Sequence, residues 1–431
     1  MLILKTALLL ALMWASLSWS EETPATRGTG GAEKAPFSAG AAVPLDQKIE
    51  SLQTQHAAAP DDLATIHKLA EALLTRARTS ADSRDVARAE ALIADALRIA
   101  ASDPRSWTLK AWSEMTAHRF ADALASARKA QELGAENAIT LGLISDALVE
   151  LGKYKQAVDA TQQMLYRFPG LPSYSRAAHL RFLHGDLEGA IALMRQAAQA
   201  GRPRTEQTAW TLAQLAELYM HDGQLEQAER TAQAAVEIFP ESPQVLAVLA
   251  RANEAQGRFD EALQLYARAA DAQPSPDLAY PLWKLAQRLD RTADAKRHET
   301  VLMGLARLGE TVRLYRRAFA LFFSEYPERL KQAEQLARAE LQARPDIYSH
   351  DILAWVLHRA GKTAEAQRHA EEALKLGTPD LMLSYHAGVI LTAAGNRGRG
   401  EKLLREARSR APYLDPRSVA EAQARLPSVW P

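Results

Sequence analysis

The sequence predicts an all-α protein built as an α-solenoid, a row of stacked helical hairpins. Three observations lead to this prediction. A pattern of small residues recurs with a period of 34 positions. Within each period apolar residues follow helical spacing, and glycine or proline stands where a helix should end. Such a period is typical of repeat proteins, in which each unit buries its apolar face against the next.

The repeating pattern is clearest in residues 243–274, PQVLAVLARANEAQGRFDEALQLYARAADAQP. Its fixed positions are Ala250, Gly257, Ala262, Ala269 and Pro274. Two further copies hold small residues and proline at the same offsets: Ala216, Gly223, Ala228, Ala235 and Pro240, and then Gly388, Gly395, Gly400, Ala407 and Pro412. Multiple copies in one phase indicate an array of units rather than a single helical hairpin.

Each unit is predicted to consist of two helices, 243–256 and 260–272 in the clearest copy. Gly257 ends the first helix, because a left-handed residue is least costly without a Cβ atom. Asp260 is the expected N-cap of the second helix. The alanines are expected where the two helices touch, since larger side chains would push the helix axes apart from their usual 8–10 Å separation.

This pattern resembles the tetratricopeptide repeat, a helix–turn–helix unit of 34 residues. The resemblance covers residues 104–414 and implies a right-handed superhelix of about nine to ten units. Residues 44–103 are expected to form a leading helix and a divergent first unit, and residues 415–431 a C-terminal cap. The predicted units lie near 104–137, 138–170, 171–204, 209–242, 243–275, 276–309, 314–346, 347–380 and 381–414.

Two steps of the repeat are 38 residues long, from Ala178 to Ala216 and from Trp283 to Leu321. Four additional residues correspond to about one turn of helix. We therefore expect each of these two insertions to lengthen a helix or the connection between two units.

The first 20 residues, MLILKTALLLALMWASLSWS, predict a secretory signal peptide. Lys5 precedes an apolar run that ends in small residues, the usual order of a leader. We expect cleavage near Ser20–Glu21 and a periplasmic or secreted protein with no transmembrane segment after cleavage. An uncleaved membrane anchor is the alternative, although the apolar run is shorter than the roughly 20 residues that span a bilayer. Residues 21–43, rich in Ala, Gly, Pro and Thr, predict a flexible linker.

The composition argues against several functions. The chain has 52 basic and 52 acidic side chains and no cysteine. Neutral charge argues against nucleic acid as the partner, and the lack of cysteine excludes thiolate chemistry and cysteine-bound metals. Motifs of hydrolases, nucleotide-binding loops and zinc peptidases are not found in the sequence. We therefore predict a protein that is not an enzyme and has no cofactor, no metal and no catalytic residues.

The resemblance implies a scaffold or adaptor that binds a protein or peptide in the concave groove formed by the first helices. Three alternatives remain: an accessory subunit of an envelope enzyme or of a polysaccharide or secretion complex, an enzyme itself, and an RNA-binding helical repeat. The leader and the neutral charge argue against the last of these. The oligomeric state is left open.

The predicted partner-binding groove is lined in its C-terminal half by aromatic and charged residues, the types that dominate binding hot spots. They are Tyr280, Lys284, Arg288, Phe322, Asp351, Trp355, His358 and Tyr385. Residues 281–317 hold nine Lys or Arg and four Asp or Glu, which favours an acidic or extended partner segment. The alternative is that these aromatics only pack the core and that the charges form an ordinary solvated helix face.

Asp351 and His358 share one helix face with Trp355 and are candidate metal ligands. Ligation would need a third group, for which His386 of the next unit is the candidate. A histidine that packs in the groove is the alternative that we favour.

Overall fold

The computed structural model describes residues 44–80 and 83–411, and within them every regular element is helical. The predicted signal peptide (1–20), linker (21–43) and C-terminal cap (415–431) lie outside the described residues. None of the helices in the described ranges is long and apolar enough to cross a bilayer.

The described residues form 22 α-helices and one 3₁₀ turn. In chain order they are α1 (Leu45–Ala58), α2 (Leu63–Ser80), α3 (Ser83–Ile99), α4 (Pro104–Thr116), α5 (Phe120–Glu132), α6 (Ala138–Glu150), α7 (Tyr154–Arg167), α8 (Leu171–Leu183), α9 (Leu187–Ala200), α10 (Glu206–His221), α11 (Leu225–Ile238), α12 (Pro243–Ala255), α13 (Phe259–Ala272), α14 (Pro276–Arg288), α15 (Thr292–Leu305), α16 (Gly309–Leu314), α17 (Arg316–Ser324), the 3₁₀ turn (Pro327–Arg329), α18 (Leu330–Ala343), α19 (Ile347–Arg359), α20 (Thr363–Ala373), α21 (Leu381–Ala393) and α22 (Arg397–Arg410).

Consecutive helices pack as hairpins, and the hairpins stack in chain order. The pairs run from α2 with α3 to α21 with α22, and in most of the array the second helix of one pair also packs against the first helix of the next. The first helices are almost wholly buried, whereas the second helices keep an exposed face. The prediction of an all-α solenoid is confirmed.

The alanines of the repeat lie where the helices touch. Ala250, Ala262 and Ala269 are all completely buried, as expected for a close approach of two backbones. At the junction with the next unit, the guanidinium of Arg288 on α14 lies 3.6 Å from the ring centroid of Phe259 on α13. Small residues therefore hold each hairpin together, and large ones bridge neighbouring hairpins.

In most hairpins of the described residues a left-handed residue makes the turn, whereas α17 and α18 are joined through the 3₁₀ turn. Gly257 has φ +79° after α12. Where a unit lacks glycine at this offset, His118 and Asp290 adopt the same conformation with φ of 56° and 54°. One detail of the prediction was wrong: α13 begins at Phe259, so that Asp260 lies in the first turn and is not the N-cap. Its carboxylate instead accepts a hydrogen bond from Arg291 of the next unit.

The two insertions occupy different places. The first lies at α10, which has 16 residues where α12 has 13. The second lies between α15 and α17, where the six-residue helix α16 is placed between two units. The first insertion therefore stays within one lengthened helix, whereas the second adds an element between two units.

Distant units also meet along a line of contacts that we call the seam. On one side are turns between first and second helices, at residues 117, 150–154 and 183; on the other are segments at 313, 344–347 and 378. Two of the contacts come from arginines: Arg313 donates to the carbonyl of Ala117 (2.8 Å), and Arg344 donates to the carboxylate of Glu150 (2.7 Å). The amide of Ile347 donates to the hydroxyl of Tyr154 (2.9 Å). The hydroxyl of Thr378 donates to the carbonyl of Leu183 (2.5 Å).

The four seam contacts join residues 193 to 196 positions apart. Such a constant offset means that each turn of the superhelix packs edge to edge on the following turn. The seam therefore ties the N-terminal units to the C-terminal ones and fixes the curvature of the surface between them.

Candidate binding surface on the first helices

The eight predicted groove residues all lie on or within first helices, namely α14, α17, α19 and α21. Their exposure divides them into two groups. Four are buried: Phe322, Tyr385, Asp351 and Trp355, with exposed fractions of 0%, 1%, 1% and 7%. Tyr280, Lys284, Arg288 and His358 are half-buried. Their use by a partner stays a prediction, and the half-buried group has more surface to offer.

Trp355 on α19 is the centre of one aromatic cluster. Its ring stacks on His386 of α21 with centroids 4.3 Å apart. Tyr385 and His358 lie at centroid distances of 6.2 and 5.7 Å from the same ring. Three of the predicted residues are thus brought together. His386, which the sequence suggested only as a metal ligand, completes the cluster by stacking.

Asp351 is buried next to this cluster and pairs with His386. The distance from its Oδ2 to Nδ1 of His386 is 2.8 Å. Burial raises the pKa of Asp351, and the attraction of His386 opposes this rise. Within the described ranges, no group of three His, Cys, Asp or Glu side chains is arranged to hold a metal ion. The hydrogen bond between Asp351 and His386 joins α19 to α21, which are neighbouring first helices.

A second aromatic cluster surrounds Trp283 on α14. Its ring meets Phe322 edge-on at 5.2 Å and stacks on Tyr326 at 6.1 Å. Beside it, Lys284 Nζ lies 3.0 Å from a carboxylate oxygen of Glu325, and the hydroxyl of Tyr280 donates to the same oxygen at 3.3 Å. Tyr280, Lys284 and Phe322 therefore belong to one packed patch, whereas Arg288 lies against Phe259.

The N-terminal first helices are joined by buried ion pairs. Arg176 on α8 donates twice to Asp146 on α6, at 2.8 Å for each bond. Burial raises the pKa of Asp146 to about 7, against the attraction of Arg176. Gly142 leaves room for this guanidinium, because a Cβ atom there would lie 2.9 Å from it. That glycine was the one available sequence signal for the pair.

A similar pair joins Arg251 on α12 to Glu217 on α10, both buried. These charges lie on the face where a groove was expected, but they are engaged with each other. Their arrangement supports rigid stacking and offers no pair of carboxylates poised for acid–base chemistry.

Comparison with known proteins agrees with this architecture. Sequence profiles of the tetratricopeptide repeat match residues 108–172 and 207–275, and no curated protein matches the sequence. Among solved structures, the chain is similar to the human IFIT1 dimer with m7Gppp-AAAA, at 17% identity and a TM-score of 0.50, over 77% of this chain and 76% of that one. An IFIT1 monomeric mutant with Gppp-AAAA matches at 16% identity, a TM-score of 0.50 and the same coverages. At these identities the likeness concerns the fold alone.

The stacked hairpins and their engaged inner charges define a helical-repeat protein of the solenoid class. The chain contains tetratricopeptide repeats, which the family profiles place at residues 108–172 and 207–275. Proteins of this kind are in general scaffolds for protein interactions, and their fold is generally non-catalytic.

Proposed function

We propose that the chain is a non-enzymatic scaffold of the periplasm or cell envelope that holds an extended segment of a partner protein against its C-terminal first helices. One observation supports this proposal above the others. The first helices α14 and α19 each present half-buried aromatic or cationic side chains on the predicted groove face: Tyr280, Lys284, Arg288 and His358.

The chemistry of these four side chains favours a partner with carboxylates and flat or apolar groups. Arg288 supplies positive charge, and Tyr280 and His358 supply rings with a polar atom; Tyr and Arg are among the residue types enriched at binding hot spots. The charge of Lys284 is already paired with Glu325. The seam adds to this argument, because a surface whose curvature is already fixed loses less entropy when a partner binds.

A photo-crosslinking experiment tests the groove. A photoreactive phenylalanine analogue is placed at residue 280 or 358 of the tagged protein, and cells are irradiated before the envelope is extracted. We expect both positions to give a covalent product with the same partner protein. The matched control carries the analogue at Glu371, an exposed residue on the second helix α20.

The outcomes of this experiment are distinct. A product from 280 and 358 but not from 371 supports the groove. A product from 371 alone would place the partner on the outer surface, and no product from any position would leave the scaffold proposal without a partner and would contradict it.

The proposed location has its own test. The first 43 residues are fused to alkaline phosphatase, which is active only after export. We expect phosphatase activity in intact cells and a mature N-terminus at Glu21 by N-terminal sequencing of the full-length protein. Retention of Met1 on an exported protein would support the uncleaved anchor, and an inactive fusion would contradict the envelope location.

The alternative function, an accessory subunit of an envelope enzyme or of a polysaccharide or secretion complex, is a narrower form of the same proposal. The identity of the crosslinked partner decides between the two.

A further inference from the structure

The irregular junction at α16 leaves a cleft in the layer of second helices. Elsewhere a second helix packs along the first helix of the next unit, but α15 does not pack along α17 in this way. The space between α15 and the segment that follows α17 has a volume of about 530 Å³. Pockets of roughly 300–1,000 Å³ accept small ligands or a few side chains.

The floor of this cleft is apolar. Met303 of α15 and Ala306, which directly follows α15, line it, and Phe323 of α17 lies beneath at 1% exposure. Two of the large apolar side chains that are exposed on this protein stand on α15 or just after it: Val301 at 40% and Leu308 at 55%. Neither of these two lines the cleft itself, but Met303 and Ala306 are only half-buried, so the floor of the cleft is an apolar surface that the array covers incompletely.

The rim of the cleft is cationic. Lys296, Arg307 and Arg329 line it, together with one acid, Glu299. Glu299 is engaged by Lys296 (2.9 Å) and by the hydroxyl of Tyr326 (2.7 Å), and these hydrogen bonds lower its pKa.

The two arginines keep their charge uncompensated. Arg329 donates to the neutral side chain of Gln332 at 3.2 Å and lies 5.2 Å from the ring centroid of Phe323. No carboxylate of the described chain lies within 4.0 Å of the guanidinium of either Arg307 or Arg329. Two uncompensated guanidinium groups above an apolar floor are suited to bidentate binding of carboxylates.

We propose that this cleft, which we call the α15–α18 cleft, binds a short acidic segment of a protein that carries an apolar side chain between its carboxylates. The carboxylates pair with Arg307 and Arg329, and the apolar side chain packs on the half-buried Met303 and Ala306. The site lies among second helices, apart from the first-helix surface, so it is a second contact that does not depend on the groove.

Fluorescence anisotropy with a labelled peptide tests the proposal on the full mature chain. The probe is a 12-residue peptide in which one leucine is flanked on both sides by Asp and Glu residues. We expect saturable binding to the wild type that weakens as salt is added, since salt screens exposed charges. In the variant with both Arg307→Glu and Arg329→Glu, the Kd should rise at least about tenfold, equivalent to about 1.4 kcal/mol.

The matched control carries Arg195→Glu and Arg368→Glu, two exposed arginines on the second helices α9 and α20. It has the same net charge as the cleft variant and should bind the peptide as the wild type does. A peptide with Gln and Asn in place of its acids, and one with serine in place of leucine, should each bind more weakly. Circular dichroism checks that both variants remain folded.

Several results would overturn the proposal. Equal weakening in both double variants would mean that net charge alone attracts the peptide. No binding to the wild type, or binding that ignores the leucine, would exclude the cleft as described. If vesicles containing anionic phospholipid bind through Arg307 and Arg329 and the peptide does not, the cleft contacts a membrane surface and not a protein. None of these results bears on crosslinking from residues 280 and 358.

Discussion

Replacing Arg344 with methionine should lower the free energy of unfolding by about 3–5 kcal/mol, the usual cost of breaking a buried ion pair from one side. The guanidinium of Arg344 is 3% exposed and its partner Glu150 is 6% exposed. It also pairs with Glu340 and lies 4.8 Å from the ring centroid of Phe120. Methionine keeps much of the packing volume but leaves the carboxylate of Glu150 buried without its cation.

The matched control for this prediction is Arg338→Met. Arg338 also pairs with two carboxylates, Glu334 and Glu365, but its side chain is 44% exposed. Exposed pairs contribute about 0–1 kcal/mol, so this variant should unfold almost as the wild type does. Urea denaturation followed by circular dichroism measures both values.

A third variant separates the ion pair from the rest of the seam. Adding Glu150→Gln to Arg344→Met removes the unpaired charge and should recover part of the lost stability, because residues in contact are energetically coupled. If Arg344→Met and Arg338→Met lower the free energy of unfolding equally, the seam contributes little to stability. The two turns of the superhelix would then lie side by side without stabilising each other.

The hairpins could be predicted from the sequence because their determinants are local. Ala250, Gly257 and Ala262 lie within one unit, and the same offsets recur in the next. A helix that must turn and return against its neighbour needs small residues at the contact and a left-handed residue at the turn. Two units without glycine keep that conformation, at His118 and Asp290.

The seam could not be predicted in the same way. Its partners, such as Arg344 and Glu150, lie 194 positions apart. Their meeting depends on small rotations between successive units that accumulate over the superhelix, and no residue pattern within a unit reports that sum.

The eight candidate residues were predicted to lie on first helices, and they do, but the sequence did not give the depth of each side chain. Phe322 and Tyr385 are buried because rings from neighbouring units, including Trp283 and Trp355, close over the space between them. The buried pair of Asp146 with Arg176 was missed for a related reason: Gly142 leaves room for a large side chain but does not identify the arginine of the next first helix that fills it.

Gly152→Ala should destabilise the protein more than Gly361→Ala, although both glycines end a first helix with a left-handed φ, of 63° and 73°. Alanine in that conformation costs about 1–2 kcal/mol, and this cost applies to both variants. A Cβ atom at Gly361 would meet nothing within 4 Å. At Gly152 it would collide with the carbonyl oxygen of Pro345 on the other side of the seam. The collision should add about 1–3 kcal/mol, as overpacking usually does.

Hydrogen exchange locates this additional cost. The amide of Ile347 donates to the hydroxyl of Tyr154 across the seam. In Gly152→Ala, Ile347 should exchange faster than in the wild type, because the two turns must separate to admit the methyl group. In Gly361→Ala the exchange rate of the Ile347 amide should rise only by the amount that the loss of global stability explains. Equal exchange in both variants would mean that the two turns of the superhelix accommodate the methyl group without separating. The curvature of the binding surface would then not depend on the seam.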